Sequence, residues 1–225
     1  MPTPTTVTGN HTPRSSRIFL LVTAVLGALV GLGTMPFLAV SGFLAGGWNG
    51  AGGPPLLDAL YTAWPDAFRW AAAGTVQQAY GRPLLFVFAA LLAGMTVWQP
   101  ELLGAPRAAR RARRAIVTGL LLSAAGNITD YWLGPDFHLI LWRVGFALFT
   151  MPGLLLILCG STVLGALMLR SGASASGVAL SLVLPAAVLN TAGGLHYLPA
   201  GPIFPFCLAW LVVFGAACRR TETRA

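Results

Sequence analysis

Within a largely apolar chain, a few residues capable of chemistry gather in one region. Asn127, Asp130 and Tyr131 recur at the spacing of one helical face, with Trp132 beside them. Trp142 and Arg143 open the next apolar run, and Asn190, His196 and Tyr197 close a later one. Charge inside hydrocarbon is costly, so such groups normally face a bundle interior or a cavity. Asp130 stands 15 residues beyond Ala115, where its apolar run begins. At 1.5 Å of rise per residue that is roughly 22 Å along the helix, which puts it in the far leaflet.

Two chemistries fit this set. In the first, Arg143 pairs with Asp130, or failing that with Asp136, because an unpaired guanidinium among apolar residues is unfavourable. Asn127, Tyr131, Trp132, Trp142, Arg143, Asn190, His196 and Tyr197 then line a polar and aromatic pocket for a small ligand. In the second, Asp130 is a general acid or base acting on a lipid or isoprenoid. Tyr131, Trp132 and Trp142 would then stabilise a cationic intermediate, and Arg143 or His196 would steer an anionic head group. An Asp130–Arg143 ion pair favours binding or structure; a buried, unpaired Asp130 favours catalysis.

Other chemistries lack their residues. All 14 basic residues are arginine, so neither a Schiff-base lysine nor a Walker-type phosphate loop is available. Cys159, Cys207 and Cys218 form no C-x-x-C pair and read as small apolar residues. There is no H-E-x-x-H and no G-x-S-x-G, and Gly160–Ser161 reads as a helix-packing contact. No metal and no cofactor are expected.

The elements that must position these residues follow from composition. Of 225 residues, 56% are hydrophobic and 9% charged, against about 25% charged in soluble domains. The chain therefore reads as an all-α, polytopic membrane bundle. A span needs about 20 apolar residues, and such runs occur at about 18–46, 84–103, 115–134, 139–169, 178–198 and 202–218. Residues 1–17 read as a disordered tail and 219–225 as a second tail. Pro152 and Pro185 are expected to kink the fourth and fifth spans.

Arginine fixes the orientation. With six spans, 11 of the 14 arginines fall on one side, and only Arg69, Arg82 and Arg143 on the other. By the positive-inside rule both termini are cytoplasmic, in a bacterial inner (plasma) membrane. The run from Arg107 to Arg114 then reads as a short cytoplasmic loop that anchors topology and touches anionic lipid, not nucleic acid. The long outer segment 47–83 carries helical patterning at Leu56, Leu57, Leu60 and Tyr61, and a second short helix is expected over 66–80. These helices either lie in the interface or form a lid.

In size and span number the chain is similar to substrate-binding subunits of vitamin transporters, and Ala24 and Ala28 fit the small-residue spacing of their first span. That resemblance implies a ligand site near the outer face and membrane protein partners. The expected function is binding or transport of a small apolar or amphipathic molecule in contact with membrane lipids. The alternatives are the membrane enzyme and a ligand-free assembly or scaffold protein.

Overall fold

The computed structural model describes residues 13–44, 55–98, 106–133, 143–172, 174–192 and 200–223, and every regular element among them is helical. Helix α1 spans Arg14–Gly42, and three short helices follow: α2 (Pro55–Ala63), α3 (Asp66–Arg69) and α4 (Ala73–Gly81). Helix α5 is Pro83–Val97 and α6 is Pro106–Asn127, which continues into a π-helical turn at Ile128–Trp132. A second π-helical turn, Phe146–Thr150, leads into α7 (Met151–Arg170); α8 (Ser174–Ser181), α9 (Val183–Ala192) and α10 (Ala200–Thr223) complete the chain.

Four stretches are long and apolar enough to cross a membrane: Arg14–Gly42, Ala73–Val97, Arg143–Arg170 and Gly201–Arg220. Helices α8 and α9, bent by 41°, add a fifth if they form one broken span. Phe19, Leu26, Leu29, Leu148, Leu155 and Leu189 are exposed along these rods, as lipid-facing residues must be. The expected third span is not in this group. Helix α6 carries Arg107, Arg110, Arg111, Arg113 and Arg114 in its first half and Asn127 near its end, and both dilute its apolar character.

Other boundaries also move. The first helix begins at Arg14, inside the expected tail, while 1–12 lie outside the described residues. The second apolar rod starts eleven residues earlier than expected, because α4 runs almost directly into α5. The last helix continues through Arg219 and Arg220 to Thr223. The arginine run expected as a loop is helical: Ala109 and Ala112 face inward while Arg107, Arg110, Arg111 and Arg114 are exposed. Arg113 turns in as well. Its Nη2 donates to the carbonyl of Met95 and, at 3.4 Å, to that of Thr96. A cation there satisfies carbonyls that the end of α5 leaves open and complements its dipole.

Proline accounts for two of the irregularities. Pro185 has no N–H for the carbonyl of Ser181, and α8 breaks from α9 at Leu182. Pro152 has none for the carbonyl of Leu148, and the π-helical turn over Phe146–Thr150 absorbs that defect.

Among the described residues the long helices pack in succession: α1 on α5, α5 on α6, α6 on α7, α7 on α8, α8 and α9 on α10, and α10 back on α1. Small residues set these approaches. A Cβ on Gly27 would lie 2.4 Å from the Ala90 Cβ, and one on Gly94 would lie 2.5 Å from the Ala24 Cβ, so α1 and α5 are antiparallel. Gly160 against Ile116, Gly153 against Ser123 and Gly126 against Thr150 give the same sense to α6 and α7. As a result, Arg107–Arg114 and Arg170 share one end of the bundle with the start of α1, and Arg82, Asp130 and Arg143 share the other.

Where α1, α5 and α10 meet, Phe88, Phe206, Phe214 and Trp210 are buried. The Trp210 ring meets Trp98 edge-on at 5.2 Å, and its Nε1 donates to Ser161 Oγ at 3.1 Å. At the Asp130 end, α2–α4 dock on α1 through aromatic rings: Phe37 stacks on Tyr80 at 5.1 Å and on Trp64 at 5.6 Å. Phe68 is buried beneath them. The single helix expected over 66–80 is instead α3 and α4, separated at residues 70–72.

Candidate functional site

The two π-helical turns face each other. Such turns widen a helix by one residue and are common at functional sites. The turn that ends α6 carries Thr129, Asp130 and Tyr131; the one before α7 carries Thr150. They approach closely because glycine stands opposite threonine on both sides. A Cβ on Gly126 would lie 2.2 Å from Thr150 Oγ1, and one on Gly145 would lie 2.1 Å from Thr129 Oγ1.

Between them is a narrow crevice with polar walls of Ser123, Asn127, Asp130 and Thr150, closed by Phe88, Tyr131 and Leu154. It is too narrow to seat a water molecule. Thr150 Oγ1 donates to Asp130 Oδ2 at 3.3 Å. Thr129 Oγ1 lies 3.4 Å from Asp130 Oδ1, but its shorter bond, 2.7 Å, goes to the carbonyl of Gly126. Asn127 is 3% exposed and its Nδ2 donates to the Gly81 carbonyl at 2.9 Å. Two polar atoms of the crevice remain without a partner at full burial, Asn127 Oδ1 and Ser123 Oγ. An unsatisfied buried polar group forfeits roughly 1–3 kcal/mol, so two in one crevice call for an explanation.

Arg143 does not supply it. It is exposed, and no ion pair joins it to Asp130 among the described residues. At Asp130 the expected ion pair is therefore replaced by hydroxyl contacts, and Asp136, the second candidate, lies outside the described residues. The reason is geometric: Arg143 precedes its π-helical turn and is placed outward, while Gly145 and Thr150 face the carboxylate.

The other expected site residues are divided. Tyr131 lines the crevice, with its ring packed over Gly81. Its carbonyl, four residues before Pro135, can receive no helical N–H from that proline and accepts from Arg82 Nε at 3.0 Å. Trp132 is outside the crevice, 51% exposed, with the Arg82 guanidinium 5.5 Å from its ring centroid. Asn190 does not join the crevice either: its Nδ2 donates to the Gly201 carbonyl at 3.3 Å and ties α9 to α10. Trp142, His196 and Tyr197 lie outside the described residues.

Trp132 and Arg82 belong to a second feature. With Pro83, Leu85, Phe86 and Ala89 they line an open groove of about 510 Å³ on the outward face of α5. Ser123, Thr150 and Arg82 are functional candidates that sequence reasoning passed over. Ser123 had a signal, since it stands one turn before Asn127 on the face that carries Asp130. Thr150 had none, because only the packing of α7 on α6 brings it to Asp130.

No protein-family model matches this chain, and no curated protein or solved structure does. The similarity to vitamin-transporter subunits therefore rests on size and span number alone, and function must be argued from the crevice and the groove. What the fold defines is a class: an all-helical, multi-pass membrane protein.

Proposed function

We propose that the protein binds or transports a small, largely apolar molecule at the outer end of a six-span inner-membrane bundle with both termini cytoplasmic. The observation that carries this reading is the groove beside Trp132. Small-molecule sites run to about 300–1,000 Å³ with mostly apolar walls and a few polar groups, and the groove, at about 510 Å³, falls within that range. Phe86, Leu85 and Ala89 suit an apolar body. The Arg82 guanidinium, held by the Tyr131 carbonyl and the Trp132 ring, offers its remaining donors to a polar end. The crevice, too narrow even for a water molecule, is too small for such a molecule.

Six spans and this orientation draw support from α6, which lies antiparallel between two apolar rods, and from the gathering of arginine at one end of the bundle. Single cysteines at the exposed positions 110 and 66 test it. Labelling from the cytoplasm should reach 110 only and labelling from outside 66 only, and the reverse pattern refutes the orientation.

Mass spectrometry of small molecules that copurify with the full chain tests the ligand. Ala89 is exposed, so Ala89→Trp fills the groove without touching the core. A molecule retained by the wild type should be missing from this variant; equal retention by both would eliminate the groove. If nothing copurifies with either protein, the scaffold alternative takes its place.

One observation favours a second reading, the lipid or isoprenoid enzyme. Asp130 is held by hydroxyls rather than by Arg143, and an Asp free of a guanidinium can exchange a proton. Turnover of a membrane lipid that vanishes in Asp130→Asn while the fold persists would establish it. The narrowness of the crevice weighs against it, because a substrate needs room beside the carboxylate.

A further inference from the structure

The crevice between the two π-helical turns poses a problem that the groove ligand does not solve. Among the described residues it holds one carboxylate, two orphaned oxygens and a hydroxyl, and no cationic side chain. We infer that the Ser123–Asn127–Asp130–Thr150 crevice is a binding site for a dehydrated monovalent metal cation of sodium size.

The first argument is the donor set. The polar side chains among the described residues that line the crevice all carry oxygen: the Asp130 carboxylate, Asn127 Oδ1, Ser123 Oγ and Thr150 Oγ1. Hard cations take oxygen ligands of these kinds. The contacts already made leave that capacity intact. Asn127 uses its Nδ2 on the Gly81 carbonyl, and its Oδ1 stays buried with no donor. Thr150 donates its proton to Asp130 Oδ2 and keeps its lone pairs.

The second argument is charge. One carboxylate balances one positive charge, whereas a divalent ion would leave a net charge in a low-dielectric site. The nearby guanidiniums do not compete: Arg82 is committed to Tyr131 and Trp132, and Arg143 is exposed.

The third argument is size. A water needs more room than the crevice gives, and it needs two or more polar partners besides. A bare small cation is narrower than water and collects several oxygens at once. A proton on Asp130 supplies a single donor, which cannot satisfy both Asn127 Oδ1 and Ser123 Oγ. The local backbone fits as well, because helix irregularities at membrane depth are where transporters coordinate coupling ions. The cation is independent of the organic ligand proposed above, which occupies the other face of α5.

The test is thermal unfolding of the full-length protein in nanodiscs, at fixed pH and ionic strength, with sodium chloride exchanged for potassium or choline chloride. Sodium should raise Tm saturably, by at least about 3 °C at saturation for a chain of this size. Ser123→Ala should raise the half-saturating sodium concentration about ten-fold, and Asp130→Asn should abolish the shift. Ala89→Trp should leave the sodium shift intact, which separates failure of the groove from failure of the crevice. Equal Tm in sodium and choline for the wild type would overturn the inference, whether or not Asp130→Asn folds. So would a sodium shift that persists in Asp130→Asn, or stabilisation by acidification alone.

Discussion

The bundle has two interior seams of similar construction and opposite outcome. Where α1, α5 and α10 meet, and where α5, α6 and α7 meet, glycine and alanine let the helices approach. In the first seam the interior polar contact is satisfied: Ser161, which reaches it from α7, accepts from Trp210 Nε1 and is 0% exposed. In the second, Ser123 is 2% exposed and its hydroxyl has no partner. The same residue type is thus structural in one seam and available in the other. What differs is the backbone beside it. The first seam is regular, and the second has two π-helical turns that pull Asn127 and Thr150 into a shared space without closing the polar ledger. A membrane protein tolerates such a gap only where something else fills it, because hydrocarbon offers no replacement partner.

The comparison can be broken most forcefully in the filled seam. Trp210→Ala removes a fully buried ring packed by Trp98, Phe206 and Phe214, and should cost about 3–5 kcal/mol, read from unfolding in mixed micelles. A much smaller loss would mean that this seam does not carry the fold. Next, Ser161→Ala leaves Trp210 Nε1 without an acceptor and should destabilise by about 1–3 kcal/mol in the same assay.

At the arginine end, Arg113→Met should lose about 1–2 kcal/mol by uncapping α5, whereas Arg110→Gln should stay within about 0.5 kcal/mol. Equal effects would show that the run acts only as a charge cluster. The smallest effect sharpens the contrast most. In sodium-free buffer, Ser123→Ala deletes an orphaned hydroxyl and should be neutral or slightly stabilising, within about 1 kcal/mol. A loss comparable to that of Ser161→Ala would mean that Ser123 is satisfied after all and that the two seams are alike.

The sequence by itself determined the membrane class, the helical architecture and most of the rods. Those follow from runs of apolar residues and from scarce, one-sided charge, and both are properties of composition along the chain. It also marked Asn127, Asp130 and Tyr131 as neighbours, because residues three and four apart share a helix face whatever surrounds them. It also marked Gly160 as a helix-packing position. Only the tertiary structure decided the partners. Pairing Asp130 with Arg143 is sound by cost and depth, yet a π-helical turn changes which residues face inward, and that turn follows from Pro152 acting on a carbonyl four residues back. Arg113 reads as one member of a basic run until α5 is seen to end beside it. Thr150, Gly81 and Arg82 come to Asp130 and Tyr131 from other helices, at sequence separations of 20 residues and more. Periodicity reports which face a residue is on; which groups meet across the gap depends on how the helices register against one another, and here glycines set against threonine, tyrosine and serine side chains fix that register.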